Sequence, residues 1–143
     1  MFIDACAIIA LLSDEPEAKR VSDAIAAARD PFTSPVAMLE AALGLARPDK
    51  FGLPLDTVEA LLMEFLEARR IEIRDLPPAR ETTHLALFAA HRYRAGRRGL
   101  NLGDCVHYAC AKYYRVPILA TSSGQFTQAS DPTASIVHPR VFG

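Results

Sequence analysis

Three carboxylates, Asp4, Glu40 and Asp104, stand at separated points of the chain, each beside a local signal for a strand end or a helix start. Asp4 closes Met-Phe-Ile-Asp. Glu40 ends Thr33-Ser34-Pro35-Val36-Ala37-Met38-Leu39-Glu40. Asp104 lies in Leu100-Asn101-Leu102-Gly103-Asp104-Cys105. If the fold gathers them, they form an acidic pocket whose mutual repulsion must be relieved by protons or by a hard cation. Mg²⁺ or Mn²⁺ held by carboxylates can offset charge on a phosphodiester and lower the pKa of a water. The chemistry open to such a pocket is therefore hydrolytic.

Each acid also has a plainer explanation. Asp4 suits the N-cap of a helix that follows it, and one oxygen can cap while the other binds an ion. Glu40 sits among Ala37, Leu39, Ala41, Ala42 and Leu43, at the edge of an apolar stripe or buried with a partner. Asn101-x-x-Asp104 has capping-box spacing, with Leu100 and Cys105 placed as a hydrophobic staple. Taken singly, none of the acids demands a function.

The elements that must position them are short strands alternating with helices. Phe2-Ile3-Asp4 reads as a buried strand, followed by an apolar helix from Ala5 to Leu12. Pro16 and its flanking acids restart a helix that runs to about Ala28. Phe32-Thr33 reads as a strand, and Ser34 with Pro35 opens a helix toward Arg47-Pro48. After a loop from Pro48 to Pro54, Asp56 and Glu59 have capping-box spacing at the head of a helix carrying Leu61, Leu62, Phe65 and Leu66. Ile71-Glu72-Ile73 alternates like a strand. A helix from about Ala79 to Arg94 puts Leu87, Phe88, His84 and His91 on one apolar face, with both histidines partly buried in the core. Gly103 to Tyr114 is a further helix. Val116 to Thr121 is a strand, and Ser135-Ile136-Val137 an edge strand. This alternation predicts an α/β domain with a mainly parallel sheet and helices on both faces. Ligands of such sheets bind beyond the carboxyl ends of the strands, where Asp4 falls.

Composition narrows the class. With 143 residues the chain predicts one domain, spanning 1–143. Such a length buries roughly 68–70% of its unfolded surface without staples. Half the residues are hydrophobic and 23% charged, which is globular. No apolar run reaches the roughly 18 residues of a membrane span, and Met1 leads into Phe-Ile-Asp with no secretory pattern, so a cytoplasmic protein is expected. Cys6, Cys105 and Cys110 are odd in number and lack C-x-x-C spacing, which points to reduced thiols rather than a zinc site or a disulfide framework. A net charge of −1 leaves nucleic-acid binding to a local patch. The sequence offers one: Arg92-Tyr93-Arg94-Ala95-Gly96-Arg97-Arg98. Arg92, Arg94, Arg97 and Arg98 could contact phosphates and Tyr93 could stack on a base; the same cations also suit a helix C-terminus.

Taken together, Met-Phe-Ile-Asp-Ala-Cys-Ala-Ile-Ile-Ala, Ser-Pro-Val-Ala-Met-Leu-Glu and Leu-Asn-Leu-Gly-Asp-Cys resemble the PIN-domain ribonucleases, above all the VapC toxins of bacterial toxin–antitoxin pairs. The likeness extends to Ile71-Glu72-Ile73-Arg74-Asp75-Leu76 and Val116-Pro117-Ile118-Leu119. It implies a three-layer α/β/α PIN-like domain. It also implies Mg²⁺ or Mn²⁺ on Asp4, Glu40 and Asp104, and endonucleolytic hydrolysis of RNA by in-line attack of water. The implied partners are a VapB-like antitoxin, laid along the acidic groove, and a second copy of the chain, through early helices rich in Ala and Leu.

The chain departs from the family pattern at several places. Further acids are usual after the last strand, where this chain has Thr121-Ser122-Ser123-Gly124-Gln125-Phe126, with Gln125 in place of the acid. Cys6 stands where a hydroxyl is frequent. His107, three residues after Asp104, falls where the family often carries an aromatic and is expected in packing or at the site edge. Ser34 and Asn101 are further edge positions. Two other readings compete. A catalytically impaired PIN-like module would bind RNA or antitoxin without cutting, for want of the fourth acid. An aspartate-nucleophile phosphatase would use Asp4, but Cys6 stands where its second acid belongs.

Overall fold

The computed structural model describes residues 1–93, 100–121 and 136–137. Strand β1 (Phe2–Ile3) leads into α1 (Ala5–Leu12) and α2 (Ala18–Ala27). Then come β2 (Phe32–Thr33), α3 (Pro35–Ala46), α4 (Leu55–Arg69), β3 (Glu72–Ile73), α5 (Ala79–Tyr93), α6 (Leu102–Tyr114), β4 (Ile118–Leu119) and β5 (Ile136–Val137). The sheet order is β3-β2-β1-β4-β5. The first four strands run parallel, and β5 pairs antiparallel with β4.

Successive strand residues point to opposite faces of a sheet, and here β1 and β4 each feed two cores, β2 feeds one through Phe32, and both residues of β3 are exposed. Phe2, Phe32 and Ile118 join Ala89, Leu100, Cys105 and Tyr108 in one cluster. Ile3 and Leu119 join Ile8, Val21, Leu45, Val58, Leu62 and Leu66 in the other. Helices α5 and α6 cover the first face, α1, α2 and α4 cover the second, and α3 reaches both, through Ala37 on the first and Ala41 and Leu45 on the second. The result is the three-layer α/β/α arrangement. β1 sits in the middle of the ladder, so its carboxyl end, with Asp4, opens between the neighbouring parallel strands.

Local chemistry sets the element boundaries. Ser34 Oγ accepts from Ala37 N–H at 3.2 Å and caps α3, with Pro35 at its first position. Asn101 and Asp104 form the expected reciprocal capping box on α6. Leu100 and Cys105, the expected staple pair, are buried in the same cluster. Arg70 and Arg115 end α4 and α6 in the left-handed region, at φ 55° and 57°.

Two sequence expectations fail. Asp56 does not cap α4: Pro54 is the N-cap, and Asp56 lies inside the first turn, where its Oδ1 accepts from Thr57 N–H at 2.8 Å. Leu55 extends the helix one residue ahead of the box, and an acid in a first turn still faces the positive helix end. His84 and His91 are exposed rather than partly buried, as are Leu87 (65%) and Phe88 (42%). The buried residue of α5 is Ala89, because a small side chain lets α5 lie close on α6. None of the helices among the described residues is long and apolar enough to cross a membrane.

Candidate metal centre

Asp4 is buried, at the junction of β1 and α1. Its Oδ1 accepts from Ala5 N–H at 2.7 Å, so it is the N-cap of α1. Its Oδ2 accepts from the Cys6 thiol at 3.0 Å, and Cys6 Sγ in turn accepts from Thr121 N–H at 3.4 Å, just beyond β4. The cap and the thiol fix both oxygens of a carboxylate that has almost no contact with bulk water. Burial, with the charge and hydrogen bond of Asp4, pushes the Cys6 thiol well above its ordinary value. It is therefore a hydrogen-bond donor at neutral pH and not a nucleophile.

Glu40 reaches the same place from α3, with its side chain 35% exposed. The stripe around it runs from Ala37 through Ala41, both fully buried, so Glu40 lies at the margin of that stripe and turns inward. It can do so because α6 begins with Leu102-Gly103: a Cβ on Gly103 would overlap Glu40 Oε1. Gly103 thus opens the space in which the Glu40 carboxylate lies, a role the sequence reading did not assign. The signal was available, since glycine in a helical first turn lowers helix propensity and commonly marks a close approach.

His107, one turn into α6, is the residue that meets both acids. Its Nε2 lies 3.0 Å from Glu40 Oε2 and 3.5 Å from Asp4 Oδ1. The ring is fully buried and tilts against Phe2, with centroids 5.4 Å apart. Expected at the edge or in packing, His107 instead sits between the carboxylates. Burial pulls its pKa down, but the Glu40 hydrogen bond and the charges of Asp4, Glu40 and Asp104 outweigh that and raise it.

Asp104 is buried at the head of α6, where Oδ2 accepts from Asn101 N–H at 3.1 Å. Its carboxyl is pushed up to about 7, first by burial and then by the charge of Asp4; the Asn101 N–H and His107 act the other way, and Glu40 adds to the rise. The three acids therefore share one electrostatic neighbourhood. Among the described residues, the ligand atoms that converge to within 4.8 Å of one another belong to Asp4, Glu40 and His107. Carboxylate oxygens and an imidazole nitrogen at that spacing are a donor set that fits a divalent ion.

The other expected positions divide. Ser34 is buried and spends its hydroxyl on the α3 cap, and Asn101 spends its side chain on the α6 cap. Arg92 is exposed at the end of α5. Tyr93, expected to be free for stacking on a base, is half-buried, with its ring 5.9 Å from that of Tyr108. Arg94, Arg97, Arg98, Gln125 and the segment 122–126 lie outside the described residues. Cys6, Cys105 and Cys110 are not joined in disulfides.

The PIN domain family matches residues 1–131. The chain is 31% identical to the ribonuclease VapC30 of Mycobacterium tuberculosis over 119 residues, covering 83% of this chain and 87% of the relative. It is 32% identical to the ribonuclease VapC of Mycolicibacterium smegmatis over 121 residues, covering 83% and 88%. It is 32% identical to the ribonuclease VapC28 of M. tuberculosis over 120 residues, covering 83% and 86%. With the parallel sheet and the site at the carboxyl end of β1, these matches establish that the chain belongs to the PIN domain family.

Proposed function

We propose that the chain is a metal-dependent endoribonuclease of toxin type, which hydrolyses RNA phosphodiester bonds and is neutralised in the cytoplasm by a cognate VapB-like antitoxin. One observation supports the reading: Asp4 and Glu40 converge beyond the central strand, and Asp104 lies near enough that burial and the charges of both push its carboxyl up to about 7. The names of the relatives support RNA as the substrate. Mg²⁺ or Mn²⁺, when bound, supplies Lewis-acid stabilisation of the phosphate and a water of lowered pKa.

The chain's own residues do the rest. Ala5 N–H and Cys6 hold Asp4 in one orientation, and Gly103 leaves room for Glu40. Asp104, whose carboxyl burial and the charge of Asp4 push up to about 7 without an ion, becomes a carboxylate more readily when a cation is bound beside it. Arg92, continued by Arg94, Arg97 and Arg98, supplies phosphate contacts that bring the strand to the site. A second copy of the chain completes a homodimer.

Structured RNA incubated with Mg²⁺ or Mn²⁺ should be cut by the wild type and left intact by Asp4→Asn. Equal cleavage by both, or none by either, overturns the proposal. The absence of an acid from 122–126 favours a second reading, a module that binds RNA or antitoxin without cutting. On that reading Gln125→Asp creates activity that the wild type lacks; robust wild-type turnover rejects it.

A further inference from the structure

Oxygen ligands alone do not describe the centre. His107 is fully buried, and its Nε2 points at the place where Glu40 Oε2 and Asp4 Oδ1 converge. We infer that His107 is itself a ligand of the bound ion, so that Asp4, Glu40 and His107 form a mixed nitrogen–oxygen centre that prefers first-row transition ions such as Mn²⁺ over Mg²⁺.

The spacing fits. Ligand atoms about 2.0–2.2 Å from one small ion stand roughly 3.0–3.5 Å apart when adjacent. The observed separations from Nε2 are 3.0 and 3.5 Å. The chemistry fits as well, since imidazole suits transition ions whereas Mg²⁺ keeps oxygen ligands and waters. Asp104 contributes no atom to the converging set, and its Oδ2 accepts from the Asn101 N–H.

The far side of the ring adds an independent observation. His107 Nδ1 is buried with no hydrogen-bond partner among the described residues. A histidine used as a fixed donor normally has its tautomer set by the bond at its other nitrogen. Here no bond at Nδ1 sets it, and without an ion the Glu40 carboxylate, which only accepts, holds the proton on Nε2. With the proton on Nε2, the ring donates to Glu40. With the proton on Nδ1, the Nε2 lone pair faces the carboxylates and is free for an ion. Both forms leave Nδ1 without a partner among the described residues, so an ion that takes the Nε2 lone pair replaces the one bond given up, that to Glu40.

The inference deepens the proposed site and rests on ion binding, not on RNA cleavage. Pulsed electron paramagnetic resonance of the Mn²⁺-loaded protein should show nitrogen coupling from a directly bound imidazole. The coupling should vanish in His107→Ala and persist in His91→Gln, whose side chain is exposed on α5. Calorimetric titration should show the Mn²⁺-to-Mg²⁺ affinity ratio falling roughly tenfold or more in His107→Ala. His107→Gln can still hydrogen-bond Glu40 but offers no ring nitrogen; it carries the same comparison if His107→Ala fails to fold. Mn²⁺ bound without nitrogen coupling, an unchanged ratio in either variant, or no Mn²⁺ binding overturns the inference. Nitrogen coupling in a protein that leaves RNA intact supports it and rejects nuclease function instead.

Discussion

At the scale of single residues, the site stores unfavourable charge. Asp104 is raised from 3.8 to about 7. As pH rises, the unfolded chain loses this proton before the folded one, so folding stability declines between about pH 4 and 7. His107 is also raised, from 6.5. The stability it contributes is fully present below that value and is lost as pH climbs through its folded value. Both act in one direction. The melting temperature in chelator should fall from about pH 5 to pH 8, and Asp104→Asn should flatten the lower part of that fall while leaving the upper part. A profile unaltered by the substitution would reject the assignment of the shift to Asp104. Gly103→Ala offers a second check. In an ordinary helix interior the change gains about 0.5–1 kcal/mol. Here the new Cβ meets Glu40 Oε1, so metal affinity should drop roughly tenfold with no gain in melting temperature, measured by titration and calorimetry on the same sample.

At the scale of elements, caps aim the chemistry. Asn101 accepts from Asp104 N–H at 2.8 Å while its own N–H donates to Asp104 Oδ2 at 3.1 Å. Asn101→Ala should cost about 0.5–2 kcal/mol by denaturant unfolding, and it should lower metal affinity too, because α6 also carries His107. Loss of stability alone would reduce the box to a cap. Much of this was legible in the sequence. Strand–helix alternation, the Ser34-Pro35 and Asn101–Asp104 starts, and the acids at element junctions are local patterns with local causes. His107, expected in packing or at the site edge, does pack, against Phe2, but its contact with Glu40 was not legible, since its spacing from Asp104 shows a shared helix face and not which side of α6 meets α3. The exposed histidines of α5 misled for a related reason: period alone marks an apolar face, and only the packing of Ala89 shows which part is covered. Gly103 was unread because the space it leaves is filled by a side chain from a helix far away in sequence.

At the scale of the whole molecule, sedimentation should report twice the 15.6 kDa chain mass if the proposed homodimer forms; a single-chain mass at micromolar concentration would exclude it. Strands β1 and β4 divide their side chains between two hydrophobic clusters, and the site begins at Asp4, directly after β1. Asp4 caps α1 and Glu40 lies on α3, beside Ala5, Ala7 and Ala41 of one cluster, with Ala37 of α3 reaching the other. Asp104 and His107 belong to α6, whose Cys105 and Tyr108 fill the other. A ligand that favours the folded state adds its binding free energy to stability, and here that energy would cross the sheet. Hydrogen exchange with Mn²⁺ should slow α3 and α6 together, while α5, which contributes none of these four residues, should respond less. An ion held there would brace the seam between two half-cores, and a chain deprived of it would lose mechanical unity along with its reagent.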